Sequence, residues 1–223
     1  MAFTKDELRH AMLLYAVTDR MWTGPQRKPG EQTLYEQVEA ALKGGATCIQ
    51  LREKDLDDET FLAEAKELTA LCRRYNVPFF VNDNVEIAIQ CGADGIHVGQ
   101  EDMAAGDVRK KVGPDMLIGV SAHTVEEAQE AVRNGADCLG LGAVFSTATK
   151  TDVSVLPMET IREICDAVDV PIVAIGGING DNILKLKGSG VDGAAIVSAI
   201  FSVDNIEETC RGLKKLAEEM VGA

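Results

Sequence analysis

Three polar side chains occupy alternate positions in the segment "QLREK" (50–54), which begins in an apolar run. Gln50, Arg52 and Lys54 are spaced two residues apart, so in extended backbone their side chains point to one side. Strands of parallel sheets are usually apolar on both faces, so a guanidinium and an ammonium here need an anionic partner. The partner is either a bound anion or the neighbouring acids of "REKDLDD". The segment alone does not distinguish these two interpretations.

Two carboxylates follow the next two apolar runs. Asn82 and Asp83 come after "PFFV", and Asp102 comes shortly after "GIHV". If these runs are adjacent strands, about 4.8 Å apart, both carboxylates can share one cation. Mg²⁺ that keeps waters and binds substrate phosphates prefers such oxygen ligands. The alternative is that each aspartate caps a helix. Together with the nearby cations, the carboxylates favour a magnesium-diphosphate site.

A second anion site is predicted near the end of the chain. Gly176 and Gly177 in "AIGGING" have no side chains, so their backbone N–H groups can approach a ligand. Val197 and Ser198 in "IVSAIF" stand where a short helix begins. This combination is typical of a phosphate-binding site. The alternative is that the glycines only serve a tight turn.

The segment "TATKTDVS" (147–154) follows the apolar run "CLGLGAVF" and combines hydroxyls with a cation. We expect Thr147 and Thr149 to reach the second anion site and Lys150 to reach the diphosphate side. A loop placed between two anions would explain all three side chains.

Three further side chains near the ends of apolar runs were considered. Ser121 ends the run "LIGVS" and is expected between the two anion sites. His123 is either a proton shuttle or a structural hydrogen-bonding residue, and the structural role is favoured. His97 is expected to pack in the core or at its rim.

Short β-type runs alternate with amphipathic helical patterns along the whole chain. The phrase "GGATCIQ" is echoed by "CGADGIHVG" and "NGADCLGLG". This repetition predicts one (β/α)8 barrel domain, a TIM barrel, over residues 1–223, with the active site at the carboxyl-terminal rim of its strands. An open doubly wound sheet is the alternative, but the glycine-rich fingerprint after the first strand is missing. The predicted strands are 13–18, 48–51, 78–81, 95–98, 117–121, 138–145, 171–175 and 193–198.

Composition restricts the partners and the compartment. The 223 residues include 22 Lys and Arg against 36 Asp and Glu, a net charge of −14, which disfavours nucleic acid and anionic membranes. Apolar runs are shorter than the roughly 20 residues of a membrane span, and the start lacks a basic signal region. We therefore expect a cytoplasmic protein that acts on small molecules, and assembly into a homo-oligomer stays open. The six scattered cysteines indicate free thiols.

Eight motifs occur in one order over about the whole chain: "YAVTD", "QLREK", "VNDN", "GIHVGQED", "GVSAHT", "FSTATKTD", "IGGI" and "IVSAI". In this order they resemble the thiamin phosphate synthase family. The resemblance implies a transferase of the (β/α)8 fold. It would join 4-amino-5-hydroxymethyl-2-methylpyrimidine diphosphate to a thiazole phosphate, or its carboxylated form, and release diphosphate with the help of Mg²⁺. The family loop often reads "FPTSTK", whereas this chain has "FSTATK".

The resemblance also implies roles for single residues, carried over by motif. Catalytic roles fall on Lys150, Arg52, Lys54 and Ser121, and Mg²⁺ ligation falls on Asp83 and Asp102. Pyrimidine diphosphate contacts would be Gln50, Arg52, Lys54, Asn82, Ser121 and Lys150. Thiazole phosphate contacts would be Thr147, Thr149, Gly177, Val197 and Ser198.

Two alternatives of other classes remain. A thiazole tautomerase shares the fold and the "IGGI" motif, but an isomerase has no diphosphate to expel. It would need neither the two carboxylates nor the lysines of "REK" and "TK". A non-catalytic phosphate-binding barrel would keep the second anion site and lose the carboxylate pair.

Overall fold

Eight parallel strands form a closed barrel in which each strand pairs with its neighbours in sequence and β1 pairs with β8. The computed structural model describes residues 3–23, 32–146 and 155–222. The closed barrel of eight parallel strands confirms the predicted (β/α)8 fold. The strands are β1 Leu14–Val17, β2 Cys48–Leu51, β3 Phe79–Asn82, β4 Gly95–Val98, β5 Leu117–Ala122, β6 Cys138–Gly142, β7 Ile172–Ile175 and β8 Gly193–Ile196.

Helices surround the barrel and cover its outer face. Most of them connect one strand to the next, as expected for parallel neighbours. The α-helices in the described residues are α1 Lys5–Met12, α2 Arg20–Thr23, α3 Leu34–Lys43, α4 Asp58–Tyr75, α5 Val85–Cys91, α6 Ala105–Val112, α7 Val125–Arg133, α8 Met158–Ala167, α9 Ser198–Phe201 and α10 Ile206–Val221. The connection from β7 to β8, where sequence predicts a helix, holds only the 3₁₀ helix Ile183–Leu186.

Helix α1, which sequence reasoning missed, packs against the amino-terminal end of the barrel. Leu8 and Met12 are buried in one apolar cluster with Tyr15 and Phe80 of the barrel interior. The available signal was the capping box at Thr4, which accepts from the N–H of Glu7 and is bonded in return by its side chain. Because apolar side chains fill this end, a ligand has access at the opposite end.

The phrase repeated in "GGATCIQ", "CGADGIHVG" and "NGADCLGLG", and more loosely in "GSGVDG", has a structural role at the amino-terminal rim. In each copy the Thr or Asp side chain accepts a hydrogen bond from the N–H of the first or second residue of the preceding strand. Asp94 accepts from Phe79 N at 3.0 Å and Asp137 from Ile118 N at 2.8 Å. Thr47 and Asp192 do the same for Leu14 and Ile172. The repeated phrase therefore anchors the starts of the strands. These lie far from the strand ends that carry the polar side chains.

Two helix starts have sequence signals that give different results. Either Asp57 or Asp58 could cap α4, and Asp57 does so, accepting from Thr60 N at 2.9 Å. Thr124 and Glu127 have the spacing of a capping box, but the box is only half formed. Thr124 accepts from Glu127 N, but the Glu127 carboxylate accepts from the backbone N–H of His123 instead.

No helix within the three described ranges combines the length and the apolar character that a membrane span requires.

All six cysteines are free thiols, and five of them are buried, as the sequence predicted.

Candidate active site

A cavity opens at the carboxyl-terminal ends of the strands, inside the barrel mouth. It brings together predicted site residues from five of the eight strands or their following loops. The lining includes Gln50, Arg52, Asn82, Ser121, Gly177, Val197 and Ser198. Lys54, Asp83 and Asp102 follow β2, β3 and β4 at the same rim, outside that lining.

Arg52 is held at the cavity wall by residues that follow β1. Its Nη1 donates to Asp19 Oδ2 at 2.6 Å, and its backbone N donates to Thr18 Oγ1 at 3.0 Å. The alternative in which the cations pair with the acids of "REKDLDD" is therefore wrong. Arg52 and Lys54 pair with Asp19 and Asp83, which come from the ends of other strands.

Asp83 sits between a cation and a second carboxylate. Lys54 Nζ donates to Asp83 Oδ2, and the carboxyl group of Asp102 lies near enough to influence the pKa of Asp83. Burial raises the pKa of the Asp83 carboxyl, the Lys54 ammonium opposes this rise, and Asp102 adds to it. The backbone at Asp83 has a φ of 62°, in the left-handed region that few non-glycine residues adopt.

Neither aspartate caps a helix, so the capping alternative is wrong for both. Asn84 caps α5 and accepts from Ile87 N at 3.0 Å. Asp102 accepts from Gly99 N at 2.8 Å, while α6 begins after Ala104 without a side-chain cap.

The donor set suits a cation that takes most of its ligands from elsewhere. In the parts of the chain that the structure covers, no group of three or more His, Cys, Asp or Glu side chains is placed to hold a metal. Two neighbouring carboxylates, Asp83 and Asp102, fit Mg²⁺ that completes its shell with water and substrate phosphate.

On the other side of the cavity, β7 ends in a glycine turn. Gly176 and Gly177 have φ values of 103° and 65°, which favour glycine. A Cβ added at Gly177 would lie 2.4 Å from the carbonyl oxygen of Ser146. Asn182 Nδ2 donates to Gly177 O at 2.8 Å and holds the turn. Close packing therefore requires glycine at this turn, and both glycines also line the cavity.

The end of β6 lies beside this turn, as predicted from strand order. Phe145 N donates to Gly176 O at 3.0 Å. Thr147, Thr149 and Lys150 follow directly in the chain and lie outside the described residues. Their predicted roles stay predictions.

The inner part of the cavity carries polar groups that sequence reasoning placed incompletely. Gln50 Nε2 donates to the hydroxyl of buried Tyr15 at 2.9 Å. His97, expected only to pack, lines the cavity with its Nε2 3.1 Å from Ser121 Oγ. Glycine at 119 and 140 makes room for its ring, since a Cβ at 119 would lie 2.5 Å from His97 Nδ1.

His123 also lines the cavity but is tied to its own helix start. Its Nδ1 lies 3.1 Å from Glu127 Oε2. This contact supports the structural role that was favoured over a proton shuttle.

Sequence reasoning missed the partners on which the cations depend. The sequence analysis assigned no role to Thr18, Asp19 or Arg20, and took Glu53 only as one of the acids of "REKDLDD" that could neutralise Arg52 and Lys54. The signal was present, because "TDR" and "REK" end adjacent parallel strands and carry complementary charges.

Together these observations define a (β/α)8 barrel whose rim groups cations, a carboxylate pair and a glycine turn around one cavity. The family model described as thiamine monophosphate synthase matches residues 14–200. A thiamine-phosphate synthase of Clostridium tetani is 44% identical over 201 residues, covering 90% of this chain and 93% of the relative. A relative of the same description from Pyrococcus abyssi is 42% identical over 214 residues, covering 96% of this chain and 99% of its own length.

Solved structures agree with this match. Thiamine phosphate pyrophosphorylase from Pyrococcus furiosus superposes with a TM-score of 0.86 at 40% identity, covering 96% of this chain and 100% of its own. The enzyme of that name from Bacteroides thetaiotaomicron, at 20% identity and a TM-score of 0.66, covers 92% of this chain and 97% of its own and supports the fold alone. The chain belongs to the thiamine monophosphate synthase family, and the resemblance seen in its motifs is confirmed.

Proposed function

We propose that this chain, a transferase of the thiamine-phosphate synthase type, joins an aminopyrimidine diphosphate to a thiazole phosphate and releases diphosphate. The observation that carries the proposal is that two chemically different groups of residues, each suited to an anion, lie at one cavity. Arg52, with Lys54 and the carboxylate pair beyond it, stands at one side. The glycine turn and the start of α9 stand at the other.

On the diphosphate side, the substrate would exchange partners with the protein's own acids. Arg52 and Lys54 are neutralised by Asp19 and Asp83 in the structure. An arriving diphosphate can take over both cations, since phosphate oxygens accept charge-assisted hydrogen bonds strongly. Lys150, predicted from sequence, would add a third cation.

Asp83 and Asp102 would hold Mg²⁺, and the support for this is that they follow the paired strands β3 and β4 at one rim, where Asp102 contributes to the raised pKa of Asp83. When bound, Mg²⁺ would supply positive charge against the diphosphate.

The proposed chemistry needs little acid–base catalysis. The C–O bond between the pyrimidine methylene carbon and the diphosphate breaks, and the diphosphate leaves with the electron pair. The electron-rich aminopyrimidine carries the resulting methylene cation until the thiazole nitrogen forms the new C–N bond. Arg52, Lys54 and Lys150 would stabilise the charge that grows on the leaving oxygen.

The pyrimidine would lie deepest, among Gln50, Asn82 and Ser121. Because Gln50 donates through Nε2 to Tyr15, its Oε1 is left to accept from a ligand amino group. The thiazole phosphate would lie against Gly177, Val197 and Ser198, with Thr147 and Thr149 adding hydroxyl donors as predicted from sequence.

The two alternatives make different demands on the carboxylates. A thiazole tautomerase or a non-catalytic phosphate-binding barrel would have no use for Asp83 and Asp102 beside Lys54. Their placement at one rim supports the synthase over both.

We also propose that residues 1–223 form one domain that works in the cytoplasm on small molecules alone. The net charge of −14 supports the exclusion of nucleic acid and anionic membranes.

The test is diphosphate release by the purified protein with the pyrimidine diphosphate and the thiazole phosphate supplied singly and together. Each mixture is measured with Mg²⁺ and with excess chelator. The proposal predicts release only with both substrates and the metal. Absence of release under every condition would refute the synthase function and make the tautomerase the next activity to assay.

A further inference from the structure

Two ion pairs cross between the ends of β1 and β2. Asp19 and Arg20 are consecutive, and so are Arg52 and Glu53. Arg52 Nη1 donates to Asp19 Oδ2 at 2.6 Å, and Arg20 Nε donates to Glu53 Oε2 at 2.7 Å. Each segment thus offers one acid and one base to the other.

Glu53 is the most buried member of this crossed arrangement. The residue is 6% exposed, and within the described ranges its Oε1 has no hydrogen-bond partner. Among the described residues Arg20 is the one cation paired with Glu53, and Arg20 also donates to Glu64 Oε2 at 2.9 Å. Burial raises the pKa of the Glu53 carboxyl, and the Arg20 guanidinium opposes this rise. A buried carboxylate with one partner depends strongly on that partner.

The peptide that carries Arg52 needs such an anchor. Strand β2 ends at Leu51, so residues 52–54 are no longer fixed by the barrel's ladder of hydrogen bonds. Besides the Arg52 contacts to Thr18 and Asp19, the Glu53 side chain ties this segment to the end of β1.

We infer that Arg20 and Glu53 are positioning residues that hold Arg52 in place for a diphosphate. This inference rests on the proposed function, because it takes Arg52 to be a diphosphate contact. Neither residue lines the cavity. They anchor the backbone between Leu51 and Lys54, and each neutralises the charge of the other.

The two residues are not equivalent, and this makes the inference testable. Removing the Arg20 charge leaves a buried carboxylate without its cation, directly beside Arg52 in the chain. That carboxylate then competes with the diphosphate for Arg52. Removing both charges abolishes the competition, so the double variant should bind diphosphate better than the Arg20 variant alone.

The experiment compares the unsubstituted enzyme with Arg20→Gln, Glu53→Gln and the double variant in the diphosphate-release assay, varying each substrate. We expect the KM for the pyrimidine diphosphate to rise about tenfold in Arg20→Gln, and clearly less in the double variant. The KM for the thiazole phosphate should stay within about twofold. Asp137→Asn is the control, because it weakens a comparable ion pair with Arg109 at the opposite end of the barrel.

Three results would overturn the inference. One is an active enzyme whose KM for the pyrimidine diphosphate is unchanged in Arg20→Gln. Another is a rise in both KM values that matches the loss of melting temperature and is shared by Asp137→Asn, which would indicate a structural role. The third is a double variant as impaired as the sum of the single ones. Failure of the unsubstituted enzyme to release diphosphate would instead refute the proposed function, and the inference with it.

Discussion

At the scale of single residues, the rim is organised as charges that already have partners. Lys54 is paired with Asp83 and Arg52 with Asp19, so the cations are oriented before a ligand arrives. Because acids neutralise these cations, the site is not strongly positive. The whole chain has a net charge of −14. Binding of a diphosphate together with a divalent cation would therefore replace two ion pairs at once.

The carboxylate pair predicts a specific metal requirement. In Asp83→Asn or Asp102→Asn, we expect the Mg²⁺ concentration that gives half-maximal activity to rise at least about tenfold, because one of the two proposed protein ligands is lost. Titration of activity with Mg²⁺ measures this. Asp107→Asn on α6, which removes an exposed acid paired with Lys110, is the control and should leave the titration unchanged. Unchanged Mg²⁺ dependence in both rim variants would contradict the assignment.

Lys150 is predicted to act on the leaving group more than on binding. Lys150→Ala should lower kcat by about a hundredfold or more while the KM for the pyrimidine diphosphate changes by less than about threefold. Single-turnover measurements with the pyrimidine diphosphate in excess separate these effects. Lys111→Ala, on the outer face of α6 beside Glu86, is a matched control. Equal losses in kcat and in affinity would show that Lys150 only binds.

At the scale of elements, the glycine turn after β7 combines packing with a proposed binding role. Gly177→Ala should impair both, because φ is 65° and the added Cβ meets Ser146 O at 2.4 Å. We expect a lower melting temperature and a higher KM for the thiazole phosphate. Gly188→Ala is the control, since φ is 75° but an added Cβ meets no atom within 4 Å. It should show only the backbone cost of about 1–2 kcal/mol. A normal KM in Gly177→Ala would remove the turn from the binding site.

The strand-start acids give a prediction for stability and pH. Burial raises the pKa of the Asp192 carboxyl, while its hydrogen bond from Ile172 N opposes the rise. With a raised pKa in the folded state, stability is lost as pH rises through that pKa. Asp192→Asn keeps the acceptor and should lack this loss, so it should melt at or above the temperature of the unsubstituted protein at pH 7.

The matched change is Asp192→Ala, which removes the acceptor. It leaves the N–H of Ile172 unsatisfied and should cost about 1–3 kcal/mol of unfolding free energy. Denaturant unfolding at acidic and neutral pH measures both variants. Equal destabilisation by Asn and Ala would show that the charge, and not the hydrogen bond, matters at this strand start.

Elements were largely predictable because their signals are local. Alternating apolar runs and helix caps such as Asp57 depend on residues close in sequence. Between β7 and β8 the sequence predicts an α-helix, because "DNILKLKGSG" has helical spacing. The structure has only a single 3₁₀ turn there. Helix α1 was missed because its apolar residues run directly into β1.

At the scale of the whole molecule, parallel order made the site predictable. Once eight strands were counted, the rim residues followed from strand ends alone, and Gln50, Asn82, Ser121 and Gly177 do meet at one cavity. The ion pairs between neighbouring strand ends were not predictable from strand order. The crossing of Arg20 with Glu53 depends on which side chains turn toward a neighbouring strand end, and the sequence pattern does not specify this.

The central claim is that one cavity holds two anions at two chemically different sites. The most direct measurement is a crystal structure of the protein with Mn²⁺, diphosphate and the thiazole phosphate, with anomalous data that locate the manganese. We expect manganese at Asp83 and Asp102 with diphosphate beside Arg52 and Lys54, and the thiazole phosphate at Gly177 and Ser198. Manganese absent from the two carboxylates, or diphosphate bound at the glycine turn instead, would contradict it.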